Sequence, residues 1–127
     1  MAKITVYEDC GNAPKKLFLK NFIVSVVEGD HDFIASNTTD DILWDRIGDE
    51  RISGKLDVIA ELQRLRNNDV TELIVYTIVT HGYFGATNGL LKFKDGKTVA
   101  FCDVYQFNAS TNNAPIKEIK TYARDVS

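Results

Sequence analysis

The hydrophobic period of the sequence changes near residue 70, and that change restricts the chain to few folds. Upstream, apolar residues fall in pairs: Phe18 and Leu19, Phe22 and Ile23, Val26 and Val27. Such spacing is the buried face of a helix repeating every 3.6 residues. Pro14 suits its first turn, Gly29 its end, and Asp30 the N-cap of a short second helix through Phe33 and Ile34. A third helix is expected from Ser53 and Gly54, carrying Leu56, Ile59, Leu62 and Leu65 inward, with Asn67-Asn68-Asp69 closing it.

Downstream the period becomes two. Leu73 to His81 and Thr98 to Phe107 are rich in β-branched and aromatic residues, and Ile116 to Ala123 alternates. Leu90 to Phe93 runs into Lys94-Asp95-Gly96-Lys97, an Asp-Gly hairpin turn. One more short strand, Leu43 to Ile47, is expected between the second and third helices. Helices first and a mostly antiparallel sheet afterwards is an α+β arrangement, and 127 residues make room for one domain spanning 1–127. Leu73, Val75 and Val79 oppose Ile74, Tyr76 and Ile78, so that strand is apolar on both faces. One face packs on the helices; the other needs a second cover, and a second subunit is the simplest.

Composition removes several functional classes. Apolar residues at 44% and charged residues at 26% describe a folded globular chain. Fifteen Lys and Arg against eighteen Asp and Glu give a net charge of −3, the wrong sign for nucleic-acid binding. No stretch approaches the roughly 20 apolar residues of a membrane span, and Met1 to Asp9 lacks the apolar core of a signal peptide. The expected location is therefore the reducing cytoplasm. Two isolated cysteines, Cys10 and Cys102, and two scattered histidines do not make a metal site. No glycine loop for phosphate is present either, so no cofactor is expected.

Two acids interrupt apolar faces. In Thr98 to Phe107 one face is Val99, Phe101, Asp103, Tyr105 and Phe107, which sets Asp103 among aromatic neighbours. In Leu43 to Ile47, Asp45 shares a face with Leu43 and Ile47. A buried carboxylate must be hydrogen-bonded, paired or protonated, and a perturbed one beside an apolar cavity suits general acid/base work. A structural role stands beside that reading: Asp45 as an edge pair with Arg46, and Asp103 as an acceptor for backbone or tyrosine donors.

The stretches Val24-Ser-Val-Val-Glu-Gly-Asp30 and Asp40 to Gly54, with its Gly48–Gly54 run before the third helix, carry a resemblance. Together with the closing strands Cys102 to Asn108 and Ile116 to Tyr122, the chain resembles the nuclear-transport-factor-2-like superfamily over residues 14 to 123. It is similar in particular to SnoaL-like proteins and ketosteroid isomerase. The resemblance implies a cone-shaped, curved antiparallel sheet wrapped around the N-terminal helices, enclosing an apolar pocket, with pairing of two copies through the outer sheet face. It also implies Asp45 as proton-transferring base and Asp103 as a protonated acid facing the developing oxyanion. Two positions depart from the isomerase: Phe22 stands where a tyrosine donates to the oxyanion, and Arg46 replaces a proline beside the base. Polyketide cyclases and scytalone dehydratase use a pocket histidine with an aspartate, which makes His81 a candidate partner of Asp103. His81 as a strand-end turn residue is the plainer alternative, and His31 reads as solvent-facing.

Phe22, Trp44, Tyr76, Phe101, Tyr105 and Tyr122 are the candidate pocket aromatics, with apolar bodies and, for Trp and Tyr, polar tips. Three functions follow. The first is a cofactor-independent isomerase, cyclase or dehydratase acting by proton transfer on a hydrophobic, carbonyl-bearing small molecule through Asp45, Asp103 and His81. The second is a non-catalytic binder of an apolar ligand, or of a partner protein, in the same cavity, and the third a dimerisation module with its pocket filled by Phe22, Trp44 and Tyr105.

Overall fold

The computed structural model describes residues 2–66 and 69–127. Helix α1 (Pro14–Glu28) starts on Pro14 and ends where Gly29, at φ 74°, turns left-handed and donates its N–H to Ser25. It buries Leu19, Phe22, Ile23 and Val27, as the paired spacing predicts. Helix α2 (His31–Ser36) is capped by Asp30, whose carboxylate accepts from the Phe33 N–H at 3.1 Å. Helix α3 (Lys55–Arg66) buries Val58 and Leu62. Leu56, expected inward, is 83% exposed, because it falls on the opposite side of the helix from Val58, Leu62 and Leu65. The proposed closure at Asn67 and Asn68 lies outside the described residues.

Seven strands form one sheet. In chain order they are β1 (Lys3–Val6), β2 (Thr38–Arg46), β3 (Arg51–Ser53), β4 (Val70–His81), β5 (Phe84–Phe93), β6 (Thr98–Phe107) and β7 (Ile116–Asp125). Their order across the sheet is β1-β4-β5-β6-β7-β2-β3. The pairs β1·β4 and β2·β7 are parallel and the rest antiparallel. The sequence reading contains neither β1 nor β3, and both are short edge strands with little internal pattern. It also begins β2 at Leu43 and β5 at Leu90, whereas they begin at Thr38 and Phe84. Gly85 and Gly89 hide the first half of β5.

Those glycines shape the sheet. A Cβ on Gly89 would sit 1.8 Å from the Ile74 carbonyl oxygen, and one on Gly85 would sit 2.7 Å from Leu19. Gly89 lies against a β-bulge between Val75 and Thr77, where β4 shifts its register on β5. The helices lie on the face so formed: α1 against β4, α3 against β2. Phe18 and Phe22 of α1 meet Phe107 and Tyr105 of β6. This is an α+β fold with the sheet around the N-terminal helices. Among the described residues, no helix is long and apolar enough to cross a membrane.

Candidate functional site

The sheet and helices do not close completely on each other. Between them lies a cavity of about 900 Å³, in the range of small-molecule sites. Its walls are apolar, with Phe22 and Ile23 from α1, Leu62 from α3, Leu91 from β5, Phe101 from β6 and Ile119 from β7. Its rim is charged: Arg46 and Asp49 flank the β2–β3 turn, and Lys94, Asp95 and Lys97 stand on the β5–β6 turn.

One carboxyl group lies inside this apolar lining. Asp103 is on the inner face of β6 with Val99, Phe101 and Tyr105, all of which line the cavity. Thr121 of β7, its cross-strand partner, donates from Oγ1 to Asp103 Oδ1 at 2.7 Å. The Tyr105 hydroxyl donates to Oδ2 at 3.4 Å and stands 3.1 Å from Thr87 Oγ1. Behind Thr121, the Trp44 indole N–H donates to Thr121 Oγ1 at 2.8 Å. Loss of water around the carboxyl raises its pKa to about 6, against the two hydrogen bonds, which favour the ionised form. Burial and the nearby Asp103 charge push the Tyr105 phenol upward, so it remains a proton-bearing donor.

Arg46 is one of the cations of the lining. Its guanidinium lies 5.2 Å from the Trp44 ring centre and is held by Asp49 at 2.7 Å and Glu61 at 3.4 Å. The hydrogen bond it donates to Asp49 holds its pKa above the usual guanidinium value, so its charge is fixed and already neutralised by acids.

The expected site residues divide into two groups. Phe22, Trp44, Phe101, Tyr105 and Asp103 meet at the cavity. Tyr76 and Tyr122 do not: they are 46% and 47% exposed, and Tyr76 stacks on Tyr7 with centroids 5.8 Å apart. Asp45 is also absent from the cavity wall. The even residues of β2, Ile42, Trp44 and Arg46, turn inward, so Asp45 turns outward and meets its cross-strand partner Arg51 at 3.6 Å. His81 is exposed at the end of β4. The bulge at Val75–Thr77 exchanges the two faces of that strand, so Ile78 is buried while Val79 and His81 face out. Among the described residues, Asp103 therefore has neither a histidine nor a second carboxyl as a hydrogen-bond partner. Thr121 and Thr87 are site residues that the sequence does not single out, and Arg46, expected to pair with Asp45, instead turns to the cavity and pairs with Asp49 and Glu61. The signal for Thr121 was its place on the same face of β7 as Ile119.

The sequence matches no known family profile and no curated protein. Solved structures do match. An NTF2-like protein of unknown function from Burkholderia xenovorans superposes with a TM-score of 0.75 at 18% identity, over 94% of this chain and 89% of that one. A protein from Shewanella denitrificans assigned as a SnoaL-like polyketide cyclase gives 0.73 at 15% identity, over 89% and 92%. An epoxide hydrolase from Mycobacterium tuberculosis, described as LEH-like, gives 0.65 at 19% identity, over 87% and 83%. The fold of this chain is thus the NTF2-like, cystatin-like fold implied by the sequence resemblance.

Proposed function

We propose that the protein binds a hydrophobic, carbonyl-bearing small molecule in the cavity and moves a proton on it without a cofactor, with Asp103 as the acid/base group. One observation carries this reading: a single carboxyl, at the floor of an apolar cavity, with a pKa raised to about 6. A carboxyl with a pKa near the working pH can both take and return a proton. In its ionised form Asp103 removes a proton from the carbon beside the carbonyl, leaving an enolate, and then returns that proton to another carbon of the same ligand. Isomerisation follows this whole course; cyclisation and dehydration share its first half, the enolate then attacking a second carbonyl whose oxygen takes the proton, or expelling a hydroxyl that leaves with the proton as water. Structural similarity to proteins assigned as a polyketide cyclase and an epoxide hydrolase supports small-molecule chemistry in this fold.

The base role is thereby moved from Asp45 to Asp103, and His81 has no part in it. Phe22 at the cavity wall offers no hydrogen bond to an enolate oxygen. A missing oxyanion donor typically costs about 10²–10³ in rate. The site accordingly suits ligands whose enolates are already stabilised, 1,3-dicarbonyl compounds above all. The same missing donor favours a second reading, a ligand-binding module using the identical cavity. The outer sheet face, where Val79, Phe84 and Tyr122 are each about half exposed, fits pairing with a second copy, and two unpaired cysteines fit a reducing cytoplasm.

Deuterium exchange at the α-carbon of a panel of hydrophobic 1,3-diketones, followed by NMR, separates the readings. Exchange accelerated by the protein and reduced at least about 10²-fold in Asp103→Asn supports catalysis. Diketone binding with exchange equal in both proteins makes the chain a binder.

A further inference from the structure

We infer that Trp44 and Thr121 are positioning residues that hold Asp103 in one orientation and confine its exchangeable proton to Oδ2, the oxygen beside Tyr105. The inference rests on Asp103 being the proton-exchanging group, and it follows from the direction of each hydrogen bond. An indole N–H only donates, so the 2.8 Å contact makes Thr121 Oγ1 an acceptor from Trp44. A threonine hydroxyl has one proton, and among the described residues Asp103 Oδ1, at 2.7 Å, is the acceptor available to it. If Oδ1 carried the carboxyl proton, the Thr121 hydroxyl would lose its acceptor and point its proton at nothing. Oδ1 is therefore held as an acceptor in both protonation states.

The opposite oxygen has no such constraint. Tyr105 stands 3.4 Å from Oδ2 and 3.1 Å from Thr87 Oγ1, and either member of the Tyr105–Thr87 pair can donate. When Asp103 is ionised, Tyr105 donates to Oδ2. When Oδ2 is protonated, Tyr105 rotates its hydroxyl proton towards Thr87. A proton can thus arrive at or leave Oδ2 with only hydroxyl rotation. The reacting carbon of a ligand is accordingly required to meet Oδ2, on the Tyr105 side of the carboxyl.

The other charged side chains of the cavity lining do not interfere with this arrangement. Arg46 and Asp49 flank the β2–β3 turn, Arg64 comes from α3, Asp69 precedes β4, and Lys94, Asp95 and Lys97 occupy the β5–β6 turn. None of them hydrogen-bonds to Asp103, and Arg46 is turned to Asp49 and Glu61.

The test is a pH titration of the Asp103 carboxyl carbon by NMR in four proteins. Wild type is expected to titrate near 6. Thr121→Val removes a bond that is stronger to the ionised carboxylate than to the neutral acid, and is expected to raise the midpoint by about one unit, a roughly tenfold weaker acid. Thr121→Ser, which keeps the hydroxyl, is expected to restore it. Trp44→Phe is expected to raise the midpoint by less, since it only weakens the Thr121 bond through lost polarisation. In the Thr121→Val background the same change is expected to add nothing.

A Thr121→Val midpoint equal to wild type overturns the inference, as does a Trp44→Phe shift of the same size in both backgrounds. If Thr121→Val does not fold, wild type alone decides through the indole N–H resonance of Trp44, the single tryptophan. That proton is expected to remain hydrogen-bonded on both sides of the Asp103 midpoint, and loss of the bond on protonation overturns the inference. An ordinary Asp103 midpoint near 3.9 in wild type instead removes the proposed function beneath it.

Discussion

Asp45 on β2 and Asp103 on β6 interrupt apolar strand faces in the same way, yet they occupy opposite sides of the sheet. Asp103 faces the cavity, pairs with no cation among the described residues, and receives two neutral hydroxyl donors. Burial disfavours its charge by more than those two bonds favour it, and its pKa rises. Asp45 faces outward and meets a cation, Arg51, across one antiparallel pair. An aspartate on an apolar strand is chemically interesting only when the surrounding wall withholds both water and a counter-charge. The two residues differ in that surrounding, and the chain within one residue of either acid does not reveal it.

Tyr105→Ala removes a fully buried ring that donates to Asp103 and packs edge-on against Phe22. It is expected to cost about 3–5 kcal/mol in urea denaturation, as other large aromatics do. Arg51→Ala removes the partner of Asp45 and is expected to cost less than about 1 kcal/mol. Equal losses would mean that the two acids are held alike.

A smaller effect is expected from pH. The folded pKa of Asp103, about 6, lies above its ordinary value of 3.8. Between those values the folded state binds more protons than the unfolded chain, so stability falls as pH rises from about 4 to 7. The contribution of this one group amounts to about 3 kcal/mol. Asp49 and Asp125, whose pKa values are lowered by hydrogen bonds with Arg46 and with Ser127, act in the opposite direction. The quantity to measure is therefore the difference between wild type and Asp103→Asn, which should decline through that range.

The smallest effect sharpens the same contrast. Asp45→Asn is expected to change stability by less than about 1 kcal/mol at low salt, and by still less in 1 M salt, which screens a partly exposed pair. A larger or salt-independent loss would place Asp45 in a structural role beyond its contact with Arg51.

Asp103 was legible from the sequence because β6 runs in unbroken register on β5 from Thr98 to Gln106. Alternation then holds over the whole segment, and the acid must join Val99, Phe101 and Tyr105. The two-faced hydrophobicity of β2 defeated the same reasoning for Asp45. Ile42 and Trp44 on one face compete with Leu43 and Ile47 on the other, and alternation alone does not choose between them. His81 lies at the exposed end of its strand, the plainer of the two placements open to it, for a different reason. The bulge between Val75 and Thr77 reverses the inward face partway along β4, and it arises from how β4 meets Gly89 on β5. Leu56 shows the limit on the helical side, where one apolar residue off the stripe was taken as part of it.

The sequence by itself determined what depends on neighbours within a few positions: the helical faces of α1, its glycine end, the Asp30 cap, the β5–β6 turn and the company of Asp103 on β6. These follow from backbone periodicity and local hydrogen bonding, which act over a turn of helix or a strand pair. The tertiary structure alone decided which face of β2 closes on the helices. It also decided where β4 reverses and which hydroxyls reach Asp103. Trp44 and Thr121 are 77 positions apart, and Thr87 and Tyr105 are 18 apart. Their meeting depends on strand order and register, which are fixed by closing the sheet around α1 and not by any local preference of those residues.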